Sequence, residues 1–556
     1  MPRKKVERIV AVADIETDPF KYGRIPKPFC CEIYYDSDDC IGMRAVFWGD
    51  DCVDQLLDHI QSIPTPLVIY MHNGGKFDFH FFPARLQNPV KVIHGRIVRA
   101  KFGIHEFRDS WAIIPMSLKA ANQKTDIDYE KLERSKRDAN RSEILSYLHD
   151  DCVYLHGLVA AFVHRFGLRL TIAGTASREL RALHPQYSQN EDHDARFRPY
   201  YFGGRVECFE SGIVSGAFKV YDVNSMYPHV MREYRHPLGG RYVVPKNPEI
   251  NTRTGWLRRF DGHFYFAVVR GVSRGAFPVR TKTGLSFPHE YGEFYTTSHE
   301  LRAALELRLF DLDCVVSAQI PCNTQTFGKF VDTFVAQKIE AKKSKDKIAE
   351  TFAKLILNSA YGRFGINPFE FYDYHFRAPD TGMPENQDGR HKWEPYEQTP
   401  EVHIWRRPVN EQNVKVRARL NLADPRGFED VAIAASVTSA ARAVLMRAIA
   451  NANRPIYCDT DSIICEGLTG VRFSDRDLGA WKLEGEGVEC AIAGKKLYAL
   501  FDSEGLSVKS ASKGVHLSSE EIRLVASGQS IVWESMAPNF SLAHETQFVK
   551  RVVKKT

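Results

Sequence analysis

Asp222, Asp459 and Asp461 constrain the fold of this chain more than any other residues, because they suit chemistry only if strands 237 residues apart (459 − 222 = 237) are brought side by side. Asp459 and Asp461 lie in Tyr457-Cys458-Asp459-Thr460-Asp461-Ser462, with Pro455-Ile456 leading in and Ile463-Ile464 leading out. That pattern predicts a β-hairpin with both acids at its tip. Asp222 follows the strand-like Phe218-Lys219-Val220-Tyr221 and supplies the facing wall. Carboxylates forced together repel unless a cation lies between them. Two divalent ions ~3.5–4 Å apart, held by such carboxylates, activate an attacking oxygen and stabilise a leaving one in phosphoryl transfer. At average residue usage, Tyr-x-Asp-Thr-Asp-Ser arises by chance in about one chain of this length in several thousand.

With 556 residues the chain exceeds one core, and length alone implies roughly three to five domains. A net charge of +6 is compatible with a nucleic-acid partner without demonstrating one, since metal-binding acids conceal a cationic groove in the total. Eleven cysteines, an odd number with no C-x-x-C pair, point away from a disulfide framework or zinc module and toward a reducing cytosol. The apolar stretch Ile9 to Ala13 is interrupted by Asp14 and is too short for a secretory segment. No run of 18 apolar residues exists, so no membrane span is expected.

A second acidic set occupies the first third. The strand-like run from Ile9 ends in Asp14-Ile15-Glu16, which puts both acids on one face at period two. Val68-Ile69-Tyr70-Met71 leads into His72-Asn73-Gly74-Gly75-Lys76-Phe77-Asp78, a strand followed by a glycine turn and an acid. Tyr147 and Asp151 stand one helical turn apart within a helical pattern of Ile144, Leu145, Leu148, Val153 and Leu155. Asp14, Glu16, Asp78 and Asp151 form an oxygen-ligand set suited to two cations of the magnesium or manganese type. These segments resemble the three motifs of the family B (DnaQ-like) 3′–5′ proofreading exonuclease. The resemblance implies that Asn73, Phe77 and Tyr147 hold a frayed 3′ end and orient the attacking water. Lys124, in Lys124-Thr125-Asp126-Ile127, is similar to the additional lysine motif of protein-primed members.

The same resemblance continues through the rest of the chain. Tyr200-Tyr201-Phe202-Gly203-Gly204-Arg205 resembles the Tyr-x-Gly-Gly motif, which implies template contacts from Tyr201, Gly203 and Gly204. Asp222-Val223-Asn224-Ser225-Met226-Tyr227-Pro228 resembles polymerase motif A. It implies metal ligation by Asp222, Val223 and Asp461, metal support from Asp459, nucleotide contacts from Ser225, and a Tyr227 ring that excludes a 2′-hydroxyl. Lys354, Asn358 and Tyr361 fall at i, i+4 and i+7, a stripe of charge, amide and ring on a helix ended by Gly362. This stripe resembles motif B. Upstream, Lys338, Lys342, Lys343, Lys345 and Lys347 form a basic cluster that gathers triphosphate or template phosphate, Lys342 foremost. Thr438-Ser439-Ala440-Ala441-Arg442 is similar to the motif that supports primer-template binding, which implicates Thr438 and Arg442. Lys496-Leu497-Tyr498 is similar to the Lys-x-Tyr grip on the primer terminus, which implicates Lys496 and Tyr498.

Spacing selects a subfamily. The gaps from Asp222 to Lys354 (132 residues) and from Gly362 to Thr438 (76 residues) exceed what short connections need. The first contains strand-like alternation (Phe264 to Val269) and ordered aromatic, Gly- and Pro-rich segments. The two gaps resemble the terminal-protein regions of protein-primed family B DNA polymerases, in particular those of the tectiviruses. Relative to the smaller tailed Bacillus-phage enzymes, one more residue separates Asn73 from Asp78, Glu350 stands where they carry lysine, and the second insertion is longer, with a polar stretch from Pro379 to Pro400.

The expected fold is therefore α/β and multidomain. An RNase H-like exonuclease domain spans 1–171, and a right-hand polymerase follows as palm (172–233), first insertion (234–329), fingers (330–365), second insertion (366–430), palm again (431–513) and a small basic thumb (514–556). The resemblance implies a monomeric DNA-directed DNA polymerase with proofreading, using Mg2+ (two per site, with Mn2+ as substitute) in the cytoplasm of a phage-bearing bacterial host. Its partners would be template-primer DNA, dNTPs, a terminal priming protein and a single-stranded DNA-binding protein. The alternatives are a primer-independent or conventionally primed polymerase, and an exonuclease with a C-terminal DNA clamp.

Overall fold

The strand Ile9–Thr17 is apolar until Asp14, the composition of a strand covered on both faces, and its neighbour Leu67–Met71 is buried at all five positions. The two pair in parallel, and Leu67–Met71 pairs in parallel with His105–Asp109. The computed structural model describes residues 8–37, 40–118, 127–184, 193–245, 262–367, 372–385, 392–408, 430–542 and 544–556. The chain divides into two units, one of residues 1–175, 367–423 and 534–550, the other of 176–366, 424–533 and 551–556.

The first unit is built on a ten-stranded sheet. From Gln87–Ile93 it runs through Arg96–Phe102, His105–Asp109, Leu67–Met71, Ile9–Thr17 and Pro28–Ser37 to Cys40–Trp48. Helix Arg141–Phe166 packs on strands Ile9–Thr17 and Pro28–Ser37. It buries Ile144, Leu148, Cys152, Leu155, Val159 and Phe162, while Val153, counted in the apolar pattern by sequence, turns 40% exposed on the opposite face. The strands of the second insertion are part of this same sheet. Tyr372–Arg377 meets Gln87–Ile93 through Tyr374 opposite Val90, and the Asn88 amide both donates to the Phe376 carbonyl (2.7 Å) and accepts from its N–H (3.1 Å). Phe376, Val402 and Ile404 join the apolar core that contains Ile69, Phe79 and Phe107. Part of the segment expected as thumb belongs here too, since the Phe540 ring lies 5.5 Å from that of Phe77.

The second unit centres on a seven-stranded antiparallel sheet in the order Ser507–Ser512, Leu497–Phe501, Trp481–Gly494, Gly212–Val223, Ser462–Leu468, Ala452–Asp459, Val206–Cys208. Behind it runs helix Val431–Ala450, long and apolar enough by length and composition to cross a membrane, yet with 83% of that stretch buried inside the protein. Its apolarity follows from being surrounded: helices Met226–Glu233 and Ser298–Glu306 and strands His236–Val243 and Tyr291–Thr297 all pack on it. The last three elements belong to the first insertion, whose four-stranded sheet (His236–Val243, Phe310–Gln325, Phe266–Ser273, Tyr291–Thr297) shares one core with Ala443 and Met446 of the long helix. The insertion is thus a wall of the unit. Helices Gly328–Lys343 and Lys347–Ser359 form a helical hairpin, the second capped by the Asp346 carboxylate on the Ala349 N–H (2.9 Å). The ten cysteines whose side chains are described are free thiols.

Candidate functional site

The hairpin Ala452–Asp459/Ser462–Leu468 carries Asp459 at the end of its first strand and Asp461 in the turn, where Thr460 takes a left-handed conformation (φ 58°). Ser462 pairs with Asp222 on the adjacent strand, so three acids from distant sequence meet at one sheet end. The turn is held by its backbone: the Val223 N–H donates to the Asp461 carbonyl (2.8 Å) and the Thr460 N–H to the Arg205 carbonyl (2.7 Å). The Thr460 hydroxyl donates to Asp459 Oδ1 at 3.0 Å. Burial, and next the Asp461 charge, push the Asp222 carboxyl up to about 7. Burial, and next Asp459, push Asp461 up to about 6. Asp459 is engaged instead by Lys496, whose Nζ lies 2.6 Å from both of its oxygens. Among the described residues no three acidic, histidine or cysteine side chains converge into a ready-made metal cage. Two partly desolvated carboxylates, Asp222 raised next by Asp461 and Asp461 next by Asp459, are nonetheless a donor set that a divalent cation would relieve.

A cavity of about 930 Å³ opens beside these acids. It is lined by Asp222, Val223, Ser225, Tyr227 and Asp461 on one side and by Lys338, Lys342, Lys343, Lys354, Asn358 and Tyr361 on the other. Ser225, left-handed at φ 53°, starts helix Met226–Glu233 and so aims Tyr227 into the cavity, where its ring stacks on Tyr361 (3.8 Å, 18° between planes). Lys354 and Asn358 share one helix as expected, but that helix ends at Ser359, and Tyr361 begins a separate 3-10 turn through Arg363. Burial, and next the nearby Lys354, lower the Lys338 pKa, the response of crowded ammonium groups that Glu350 offsets only in part. Glu350 and the loop residues Asp475, Arg476 and Asp477 also line the cavity. Nothing in their local sequence marks the loop residues, which a short connection between two strands delivers to the site.

Several residues expected to touch DNA are engaged by the protein itself. Arg442 is 2% exposed and makes a bidentate pair with Glu300 (2.6 and 2.7 Å), while its remaining amino group donates to the Phe202 and Gly203 carbonyls (2.8 and 2.7 Å). Thr438 is buried and its hydroxyl is spent on the Ala434 carbonyl (3.1 Å). Both hold the protein's own backbone in this structure. Tyr498 is likewise in the core, its ring 4.7 Å from Tyr457. Tyr201 is half-buried, and Gly203 has open space where a side chain would be. Gly204 does not: a Cβ there would lie 2.6 Å from Thr460 Oγ1. Glu300, in the first insertion, is invisible to motif reading because only the fold brings it to Arg442.

In the first unit, Asp14, Glu16, Asp78 and Asp151 come within each other's electrostatic reach. Burial, and next Asp151, push Asp14 up to about 7, and burial followed by Asp14 raises both Glu16 and Asp78. Burial and then Asp151 raise Tyr147. Gly75 is required, since a Cβ would sit 2.0 Å from the Ile97 carbonyl, and Asn73, left-handed at φ 64°, accepts from Arg96 at 2.9 Å. The Phe77 ring packs on Phe20 and Phe81. Sequence reading missed Glu32, fully buried opposite Asp14 and held by Arg44 (2.8 Å) and His149 (2.7 Å). Lys124 lies outside the described residues.

Residues 104–461 match the family model described as DNA polymerase type B, organellar and viral. The chain is 41% identical to the DNA-directed DNA polymerase of Enterobacteria phage PRD1, over 100% of this chain and 99% of that one. It is 24% identical to the DNA polymerase of Bacillus phage phi29, over 65% of this chain and 60% of the phage protein. The structure of phi29 DNA polymerase complexed with primer-template DNA and incoming nucleotide superposes with a TM-score of 0.68 at 17% identity, covering 99% of this chain and 100% of that one. The fold is accordingly that of an exonuclease domain joined to palm, fingers and thumb.

Proposed function

This chain belongs to the organellar and viral type B DNA polymerases, and on that premise we propose that it extends a DNA primer by template-directed nucleotidyl transfer and proofreads the product at a separate site. One observation carries the reading: Asp222 and Asp461, adjacent carboxylates at one sheet end, border a cavity that Lys338, Lys342, Lys343 and Lys354 also line. A dNTP fits that polarity, with its triphosphate between the lysines and the acids. Asp222, Asp461 and the Val223 carbonyl would hold divalent cations, with Asp459 beside the primer end, and magnesium bound there would supply charge neutralisation for the attacking oxygen and the triphosphate. Lys338, Lys342 and Lys354 draw in the triphosphate, Asn358 and Tyr361 bound the sugar and base, and the Tyr227 ring closes the space a 2′-hydroxyl would need. The primer 3′-oxygen bonds to the α-phosphorus and the bond to pyrophosphate breaks, a reaction governed by alignment and electrostatics. Lys496 exchanges Asp459 for the primer terminus when DNA enters.

Asp14, Glu16, Asp78 and Asp151 would hold the cations of the 3′–5′ exonuclease, with Tyr147 orienting the water and Asn73 and Phe77 receiving the 3′ end. Priming from a protein hydroxyl is the reading favoured by full-length similarity to the PRD1 enzyme, with the same acids joining the first dNMP to a terminal protein. The protein works as a monomer beside a single-stranded DNA-binding protein in the host cytoplasm. The test is labelled dNMP incorporation on primed DNA, and then on a candidate terminal protein with origin DNA. Template-directed extension with magnesium supports the polymerase, and label on the terminal protein supports protein priming. Failure of the first overturns the whole reading, and failure of the second alone overturns only the priming mode.

A further inference from the structure

The first insertion reaches the catalytic turn through a short relay of contacts. Glu300, on helix Ser298–Glu306, is 1% exposed and neutralises Arg442 with two hydrogen bonds. Arg442 in turn grips the Phe202 and Gly203 carbonyls. From the insertion's other side, Arg280 lies 4.3 Å over the Phe202 ring and donates to the Tyr201 carbonyl. Arg205, two residues after Gly203, donates to the Gly275 carbonyl (2.9 Å) with its guanidinium 4.2 Å over the Phe287 ring, both again in the insertion. The Arg205 carbonyl then accepts the Thr460 N–H at 2.7 Å, in the turn whose neighbours are Asp459 and Asp461. Residues 201–205 have no regular secondary structure of their own, so these side chains fix their path.

We propose that Glu300 is a positioning residue for nucleotidyl transfer: through Arg442 it sets the course of residues 202–205, and these set the Thr460 turn that carries the catalytic acids. The proposal rests on the polymerase reading above. A buried cation loses its compensation when its carboxylate partner is made neutral, and the arginine then seeks other acceptors. The nearest are the carbonyls of the segment it now holds in place. A displacement of the acids on the order of 1 Å is enough to cost about a hundredfold in rate.

The experiment compares wild type, Glu300→Gln and Glu300→Asp in single-nucleotide extension of a primed template. Rates are normalised to active sites by burst amplitude, over a range of magnesium concentration, with thermal unfolding and single-stranded DNA degradation measured alongside. Glu300→Gln should lower kcat about tenfold to a hundredfold and raise the magnesium concentration for half-maximal rate, with KM for dNTP little changed. Single-stranded DNA degradation by the other unit should persist. Glu300→Asp, which keeps the charge, should recover part of kcat. Wild-type kcat per active site in Glu300→Gln, with any loss confined to the unfolding midpoint, would overturn the proposal. If Glu300→Gln does not fold, kcat and magnesium dependence of Glu300→Asp decide between the same two outcomes. Failure of the wild type to extend primers strikes the polymerase reading instead, and so the two are told apart.

Discussion

Gly203 and Gly204 are adjacent, chemically identical and, in their surroundings, opposite. A Cβ on Gly203 would meet nothing within 4 Å, whereas one on Gly204 would lie 2.6 Å from Thr460 Oγ1, 2.8 Å from Cγ2 and 3.0 Å from Cβ. Neither residue has a positive φ, so backbone strain is not at issue and space alone decides. Ordinary contact begins at 3.4 Å, and Gly204→Ala therefore needs a retreat of 0.8 Å (3.4 − 2.6) by Thr460. Rotating the threonine side chain does not provide it, because its Cβ is itself too close and its hydroxyl is bonded to Asp459. The turn must move, and Asp459 and Asp461 move with it. Misplacement on that scale costs about tenfold to a hundredfold in kcat, or about 1.4–2.7 kcal/mol of transition-state stabilisation. Active-site-normalised single-nucleotide extension should show this loss for Gly204→Ala, with no comparable loss of kcat for Gly203→Ala, whose effect falls on affinity for primed DNA. Adding Thr460→Gly to Gly204→Ala removes the clash, so the pair should be strongly non-additive. Wild-type kcat in Gly204→Ala, or equal kcat losses at both glycines, would refute the steric argument.

Asp14→Ala combined with Glu16→Ala should eliminate 3′–5′ removal of a mismatched nucleotide and leave extension largely intact; continued removal on a gel would show that the exonuclease site is misplaced. Tyr227→Val should lower discrimination against ribonucleotides, read as the ratio of kcat/KM for dNTP and rNTP, and an unchanged ratio would assign the gate to another residue. Asp222, pushed up to about 7, and Asp461, to about 6, bind protons more tightly folded than unfolded, so their contribution to the magnesium-free fold declines as pH rises from the ordinary carboxylate range to about 7. Magnesium displaces those protons, and its upward shift of the unfolding midpoint should be larger at about pH 8 than at about pH 5.5; calorimetry showing equal shifts would contradict this.

The catalytic hairpin was legible because apolar pairs flank a fixed polar hexapeptide, and the acids of strand Ile9–Thr17 because alternation alone tells which face they share. Helix Arg141–Phe166 was legible from its period, apart from Val153, whose neighbours made the apolar stripe look wider than the buried face is. What escaped is long-range. Glu32 pairs with Arg44 and His149, and Glu300 with Arg442 across 142 residues; neither acid carries a local pattern that distinguishes it from a solvated one. The burial of Arg442, Thr438 and Tyr498 was not legible either, since short polar motifs do not reveal which way a helix or strand faces. The second insertion looked separate because sequence distance hides edge pairing such as that of Tyr374 with Val90.

The most direct test of the account replaces one oxygen with nitrogen. Asp461→Asn preserves shape while removing a charge from the pair that Asp222 and Asp461 form, so primer extension with magnesium should be abolished while single-stranded DNA is still degraded from its 3′ end. Near wild-type extension by Asp461→Asn would contradict the placement of the polymerase site.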